Sequence, residues 1–494
     1  MHLRRSVFIT FFSSNAATAI QFGVTLILSR LLTPSEVGIF SITVVFVGIV
    51  AVFRDFGVSS YLQREKELSP EKIRAALGLL LTTSWSLAVL IYLTSGLLAG
   101  FYGQPGIQEV LHVLTISFVL VPFASFFYAL LARNLEAGKQ AIVNGVSTIA
   151  YAVSCITLAW LGFSYMSLAW ANVVNIAVTI VCYLFLRPKD VPCRPSLSGW
   201  GPPARFGGGA ILGNLIDRIH GAVPDLVLGK LSGPHDVGLY SRANGLVGIF
   251  SQIASPTINY NAVPYIAKNF HNNEPLAPIL AKATSYLTAV SWPFFIVTLL
   301  FPVEIIRVLY GEQWIAAAPI AVFICIQAMV RTGYSLTAPA LMAIGRPYLS
   351  SMSSGFGLLV RITAIYLLAA HDAYTFAMAI CVADILSVVL PIYLMSSKLG
   401  YSFRMAMDAH WASFKLNAAV FAVAAGIKLV LPSPLPAVAT LGIASAGVIA
   451  CWLYCLVRFR HPMRDELPGI VDRIFPSAIA RRINKFIHAS SSPV

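Results

Sequence analysis

Apolar runs of about 20 residues recur from one end of the chain to the other, each followed by a short polar break. A helix of that length crosses roughly 30 Å of hydrocarbon. Fourteen such runs fall near residues 7–29, 37–60, 75–101, 109–131, 143–163, 166–187, 208–231, 236–262, 281–304, 317–342, 349–370, 374–396, 412–432 and 435–458. The pattern predicts an all-α integral membrane protein of about fourteen transmembrane helices. The first run follows Arg4 and Arg5 but is too long for the apolar core of a leader peptide, so it reads as the first span. The longest polar pieces are the 188–207 connector and the tail after Arg458, and neither makes a soluble domain.

One polar break occurs twice. Arg30-Leu31-Leu32-Thr33-Pro34-Ser35-Glu36-Val37-Gly38-Ile39-Phe40-Ser41 is matched 200 residues on by Lys230-Leu231-Ser232-Gly233-Pro234-His235-Asp236-Val237-Gly238-Leu239-Tyr240-Ser241. Val47-Gly48-Ile49 then pairs with Val247-Gly248-Ile249. A repeat of this period inside an apolar chain points to two related halves, which in secondary transporters enclose a binding site.

Polar residues inside the runs follow the same register. Asn214, Asp217, Arg218, Gly221 and Asp225 share one helical face, and Ser14, Thr18, Gln21 and Thr25 occupy the corresponding face of the first run. The second stripe is charged and the first is neutral. Two readings stand open: a packed Asp–Arg pair within the bundle, or a hydrated cavity lined by the first helix of each half. Arg331 and Arg361 fall near mid-membrane, where a guanidinium suits phosphate or carboxylate. Their alternative is pairing with Asp384 or with carbonyls at helix ends.

Composition agrees with the pattern: 57% hydrophobic residues, 11% charged, and a mean hydropathy of +0.78. The net charge of +14 reflects topology. With the N-terminus in the cytoplasm, most lysines and arginines fall on the inner side, and only Arg30, Lys230 and Arg307 on outer turns. Both termini are therefore expected inside. The tail interleaves Ile474, Phe475, Ile479, Ile483 and Phe486 with Arg473, Arg481, Arg482 and Lys485, predicting an amphipathic segment on anionic inner-leaflet lipid. No basic soluble face suggests nucleic acid. The seven cysteines show no metal-ligand spacing, no phosphate-binding loop is present, and neither a metal nor a cofactor is expected.

The segments Leu31 to Phe40, Phe53-Arg54-Asp55-Phe56-Gly57-Val58 with Gln63-Arg64, Asp225-Leu226-Val227-Leu228-Gly229-Lys230, Val237 to Ala243, and Ala343-Ile344-Gly345-Arg346-Pro347 resemble bacterial polysaccharide transporters. These belong to the multidrug/oligosaccharidyl-lipid/polysaccharide exporter superfamily. The resemblance implies a six-helix lobe over 1–187, a cytoplasmic connector over 188–207, a second six-helix lobe over 208–396, two extra helices over 397–458 and the basic tail over 459–494. It implies no enzyme activity, but flipping of an undecaprenyl-diphosphate-linked oligosaccharide across the bacterial inner membrane by alternating access. Mapped by position, diphosphate and sugar contacts fall to Arg218, Arg331 and Arg361, with Asn214 and Gln21. Asp217 and Asp225 are the candidate ion-coupling carboxylates. The lipid-linked oligosaccharide is the expected partner, with a polysaccharide polymerase and export proteins as further candidates. The first span lacks the arginine expected of relatives. A cation-coupled multidrug exporter is the nearest alternative, and a membrane glycosyltransferase or polymerase a more distant one.

Overall fold

The computed structural model describes residues 2–55, 57–134, 136–187, 194–368, 371–432, 435–466 and 468–469, without the side chains of 2–8, 11, 202–212, 214 and 253–261. The tail segment after 469, Cys193 and the side chain of Asn214 thus lie outside the described residues. Every long element is a helix: α1 (His2–Leu31), α2 (Pro34–Asp55), α3 (Val58–Arg64), α4 (Pro70–Tyr102), α5 (Pro105–Arg133), α6 (Ala137–Trp160), α7 (Met166–Leu186), α8 (Gly201–Leu231) and α9 (Pro234–His271). The series continues with α10 (Leu276–Leu300), α11 (Pro302–Leu309), α12 (Ala318–Thr332), α13 (Thr337–Ala343), α14 (Pro347–Leu367), α15 (Ala373–Ser387), α16 (Val389–Leu399), α17 (Phe403–Val430) and α18 (Ala437–Arg458). Among the described residues, ten helical stretches are long and apolar enough to span a membrane. The expected runs at 7–29, 208–231, 236–262 and 349–370 do form helices, α1, α8, α9 and α14, but are not among those ten. The expected count of fourteen is not established. Large apolar side chains face outward, such as Leu97 at 76% and Phe185 at 85% exposure, as lipid-facing helices require.

The chain divides into two compact units, Met1–Arg242 with Ala370–Phe376, and Ala243–Ala369 with Ala377–Val494. In the first, α1 packs on α6, α4 on α5, α6 on α7, and α8 on α2. Its core gathers Leu62, Leu80, Phe126, Phe127, Val143 and Tyr183. In the second, α10 packs on α12 and α17, and α18 lies against α17. Leu416, Val420 and Ala424 form a seam one turn apart, meeting Ala444 and Val448 of α18.

The repeated segments form matching corners and meet each other inside the first unit. A Cβ added to Gly38 would lie 1.7 Å from the Pro234 carbonyl oxygen, and one added to Gly238 would lie 1.9 Å from that of Pro34. The contact is therefore reciprocal across the 200-residue offset, and the Ser41 hydroxyl donates to that of Ser241 at 3.2 Å. Only glycine permits backbones to approach so closely. Each corner carries an acid with a fixed task. Glu36 accepts from the Thr33 N–H at 2.6 Å and its own N–H donates to the Thr33 hydroxyl, a reciprocal cap on α2. It also accepts from Ser164 before α7. In the other copy, Asp236 accepts from the Ala373 N–H at 3.0 Å, at the start of α15.

Pro122 and Pro293 interrupt spans, and each leaves one carbonyl without its helical donor. Pro122 in α5 orphans Phe118, whose carbonyl accepts from the Ser84 hydroxyl at 2.5 Å. Pro293 in α10 orphans Ala289, whose carbonyl accepts from the Trp452 indole N–H at 2.7 Å. The second bond ties α18 to α10. A buried polar knot ties α17 to the same helix: Thr288 donates to the Ser413 hydroxyl at 2.7 Å, which donates to the Ser285 carbonyl at 3.0 Å. His461, just past α18, lies 3.2 Å from that hydroxyl and accepts from the Met463 N–H through Nδ1. Burial pushes the His461 imidazole down to about 4, so the ring is neutral and its Nε2–H faces Ser413.

Trp452→Phe should cost about 1–3 kcal/mol, because it strands a carbonyl in an apolar interior. Adding Pro293→Ala restores a helical donor, so thermal unfolding of the double variant in detergent should recover part of the loss. A Trp452→Phe protein as stable as the parent would remove the bond from this role. Gly38→Ala and Gly238→Ala should each cost about 3 kcal/mol by overpacking. Gly48→Ala, with open space around it, serves as the tolerated control in the same assay.

Candidate functional site

Each unit holds a polar cavity of its own. In the first, α1, α5, α6 and α7 enclose about 400 Å³, lined by Gln21, Tyr128, Asn144, Asn175 and other uncharged polar groups. The sequence pattern placed Gln21 on a polar stripe, and the structure puts it in this wall, exposed. Ser14 shares the cavity, while the hydroxyls of Thr18 and Thr25 turn back onto the carbonyls of Ser14 and Gln21 at 3.0 Å. A threonine bonded to its own preceding turn has no donor left for a ligand. The stripe thus narrows to Ser14 and Gln21.

The second unit encloses about 390 Å³ between α9, α10 and α12, lined by Asn244, Ser251, Gln252, Gln327, Arg331 and Thr332 among others. Arg331 is exposed and is the single charged residue in the lining. Among the described residues no carboxylate pairs with it. Gln327 and Arg331 stand one helical turn apart on α12, which aims both at the same space.

Arg361 stands apart from that cavity's lining. It is 4% exposed, and its Nε and Nη2 reach the two carboxylate oxygens of Asp384 at 2.7 and 2.9 Å. This is the fork-to-fork geometry that only arginine offers. Gln327 donates to the same carboxylate. The amide thus belongs both to the cavity wall and to the ion pair behind it. Of the two readings open for Arg361, the structure shows the pairing with Asp384.

On α8, Asp217 and Arg218 are exposed, and no ion pair joins them among the described residues. Asp225 is half-buried one residue from Leu226, whose carbonyl accepts from the Tyr102 hydroxyl at 3.1 Å. Lys230 reaches the Phe101 carbonyl at 2.6 Å and covers that ring at 4.4 Å, so it anchors α8 to the end of α4. Asn144, Asn175 and Tyr128 of the first cavity, and Gln327 of the second, escaped the sequence reading. Their signal was available: Asn144 opens the run at 143–163, Asn175 interrupts that at 166–187, and Gln327 precedes Arg331 by four residues.

Membrane helices in two units, with a repeated corner and polar cavities within the helical bundles, define a transporter architecture. Two solved structures share it. "Lipid II flippase MurJ, inward closed conformation" matches with a TM-score of 0.71 at 13% identity, over 94% of this chain and 99% of that one. An inward-facing multidrug resistance MATE family transporter of the MOP superfamily matches at 0.61 with 14% identity, over 77% and 96%.

A family model described as polysaccharide biosynthesis protein matches residues 27–319, and the chain belongs to that family. Among curated relatives, lipopolysaccharide biosynthesis protein WzxC of Escherichia coli is 22% identical over 92% of this chain and 94% of its own. Teichuronic acid biosynthesis protein TuaB of Bacillus subtilis is 22% identical over 84% and 86%. Succinoglycan biosynthesis transport protein ExoT of Rhizobium meliloti is 24% identical over 68% of each chain.

The Arg361–Asp384 pair sets a stability test. Asp384→Asn should cost about 3–5 kcal/mol, since it leaves a guanidinium buried without its counter-charge. Arg361→Met combined with Asp384→Leu should regain most of this in thermal unfolding. Equal stability of the parent and Asp384→Asn would show that the pair is not closed in the membrane.

Proposed function

We propose that this protein flips an undecaprenyl-diphosphate-linked oligosaccharide from the cytoplasmic to the outer leaflet of a bacterial inner membrane, with both termini in the cytoplasm. The observation that carries the reading is Arg331, an arginine that among the described residues forms no ion pair with a carboxylate, in a cavity whose other described lining residues are neutral. A diphosphate crossing hydrocarbon needs a fixed positive charge and hydrogen-bond donors, and a guanidinium supplies both. Gln252, Asn244 and Gln327 offer amide donors beside it. Arg218, exposed on α8, and Arg361, which acts through the Asp384–Gln327 chain, are the other arginines assigned to the substrate. The names of WzxC, TuaB and ExoT, each tied to a surface polysaccharide, support this substrate class.

No bond is made or broken in the transport step. The prenyl chain stays in lipid while the polar head moves through a water-filled path, with alternating access supplying the direction. Asp217 and Asp225 are the carboxylates assigned to ion coupling. A multidrug exporter would bind cationic drugs through cavity carboxylates, and the second cavity offers none.

In a strain deleted for the gene, lipid-linked oligosaccharide should accumulate on the inner leaflet, and the intact protein should restore polymer export. Arg331→Ala and Arg218→Ala should each cut export at least about tenfold while membrane levels stay normal. Arg331→Lys should restore part of the output, because the charge remains but the fork is lost. Parental export from both alanine variants would overturn the cationic-site reading.

A further inference from the structure

The cavity of the first unit differs in kind from that of the second. Among the described residues, twelve of its fifteen lining residues carry uncharged hydrogen-bonding side chains, and none carries a charge. A space of about 400 Å³ falls within the range of small-molecule sites, roughly 300–1,000 Å³. We infer that this cavity is a saccharide subsite, which takes sugar rings of the substrate through amides and one aromatic face. The inference rests on the function proposed above, and it adds where the glycan is read.

The chemistry of the wall argues for a neutral, hydroxyl-rich ligand. A sugar hydroxyl is both donor and acceptor, and a carboxamide meets it with both functions. Gln21, Gln140, Asn144 and Asn175 bring four carboxamides from α1, α6 and α7 to one cavity. Asn175 spends its Nδ2 on the Ser147 carbonyl at 2.9 Å, and Asn144 spends its own on the Ser13 hydroxyl at 3.3 Å. These bonds fix the two side chains, a preorganisation that lowers the entropy cost of binding. Tyr128 adds a ring 48% exposed, an apolar face for the C–H side of a pyranose.

Ordinary helix packing does not account for the arrangement. Polar seams in membranes close on themselves, because an unsatisfied group costs free energy in hydrocarbon. Here Gln21 and Asn144 remain exposed around an open space. A diphosphate does not suit the wall either, since among the described lining residues no cation offsets its charge. The lack of any carboxylate in the lining argues in the same way against a metal cation.

The test uses the full-length protein in detergent and four probes: undecaprenyl diphosphate, and the same lipid bearing one glucose, galactose or N-acetylglucosamine. The parent protein should bind at least one glycosylated lipid about tenfold more tightly than the bare lipid. Gln21→Ala and Tyr128→Leu, both at exposed positions, should bring that ratio close to one, as should Asn144→Ala. A parent that binds the bare lipid but prefers none of the glycosylated ones, or variants that keep the parental ratio, would overturn the saccharide subsite alone. A parent that binds none of the four would overturn the flippase reading together with it.

Discussion

Hydrocarbon offers no hydrogen bond, so each backbone N–H and C=O in a span must find its partner within the protein. That constraint explains why the described regular structure is helical, and it reaches beyond the helices themselves. Side-chain hydroxyls in the spans largely repeat the same solution, as Thr18, Thr25, Ser29 and Thr43 each donate to the carbonyl four residues earlier. Where proline breaks the ladder, Ser84 and Trp452 supply the missing donor from a neighbouring helix. A proline kink thereby becomes a cross-link between helices.

The two repeated corners lie together in the first unit and meet the constraint in parallel ways, while the cavities of the two units differ in electrostatics. Glu36 and Asp236 sit at the same register and do comparable work, each fastening a corner to a polar group at the start of a later helix. The close contact of Gly38 with Pro234 and of Gly238 with Pro34 is the physical reason the repeated segment keeps both residue types in both copies. The helices are free to diverge because only the corner is held by backbone contact. One cavity is lined by amides and hydroxyls and the other holds an arginine, so the shared frame carries two chemistries.

The apolar runs and the repeat were legible because their signals are local: hydropathy over about 20 residues and a fixed pattern of glycine, proline and acid. The stripe containing Gln21 was legible for the same reason, since helical periodicity places it without knowledge of neighbours. What could not be read was which helix faces which. Arg361 and Asp384 lie on different helices, and sequence left their pairing as one of two alternatives. Arg331 and Arg361 look alike in sequence, yet one is exposed in a cavity and the other is 4% exposed. Asn144 and Asn175 escaped because a single carboxamide barely lowers the hydropathy of its run. The span count shows the same limit, for α8 carries Asp217, Arg218 and Asp225, and its composition alone no longer marks it as a span.

The buried ion pair also bears on how the second cavity keeps its charge. Asp384 is near enough to Arg331 for the two charges to interact, and a carboxylate left free there would be drawn to either guanidinium. Arg361 occupies both of its oxygens and Gln327 adds a third bond, so that the negative charge is neutralised behind the wall. Two arginines and one carboxylate then leave a net positive charge at Arg331. A guanidinium stays protonated at any physiological pH. The positive charge in the cavity is therefore permanent.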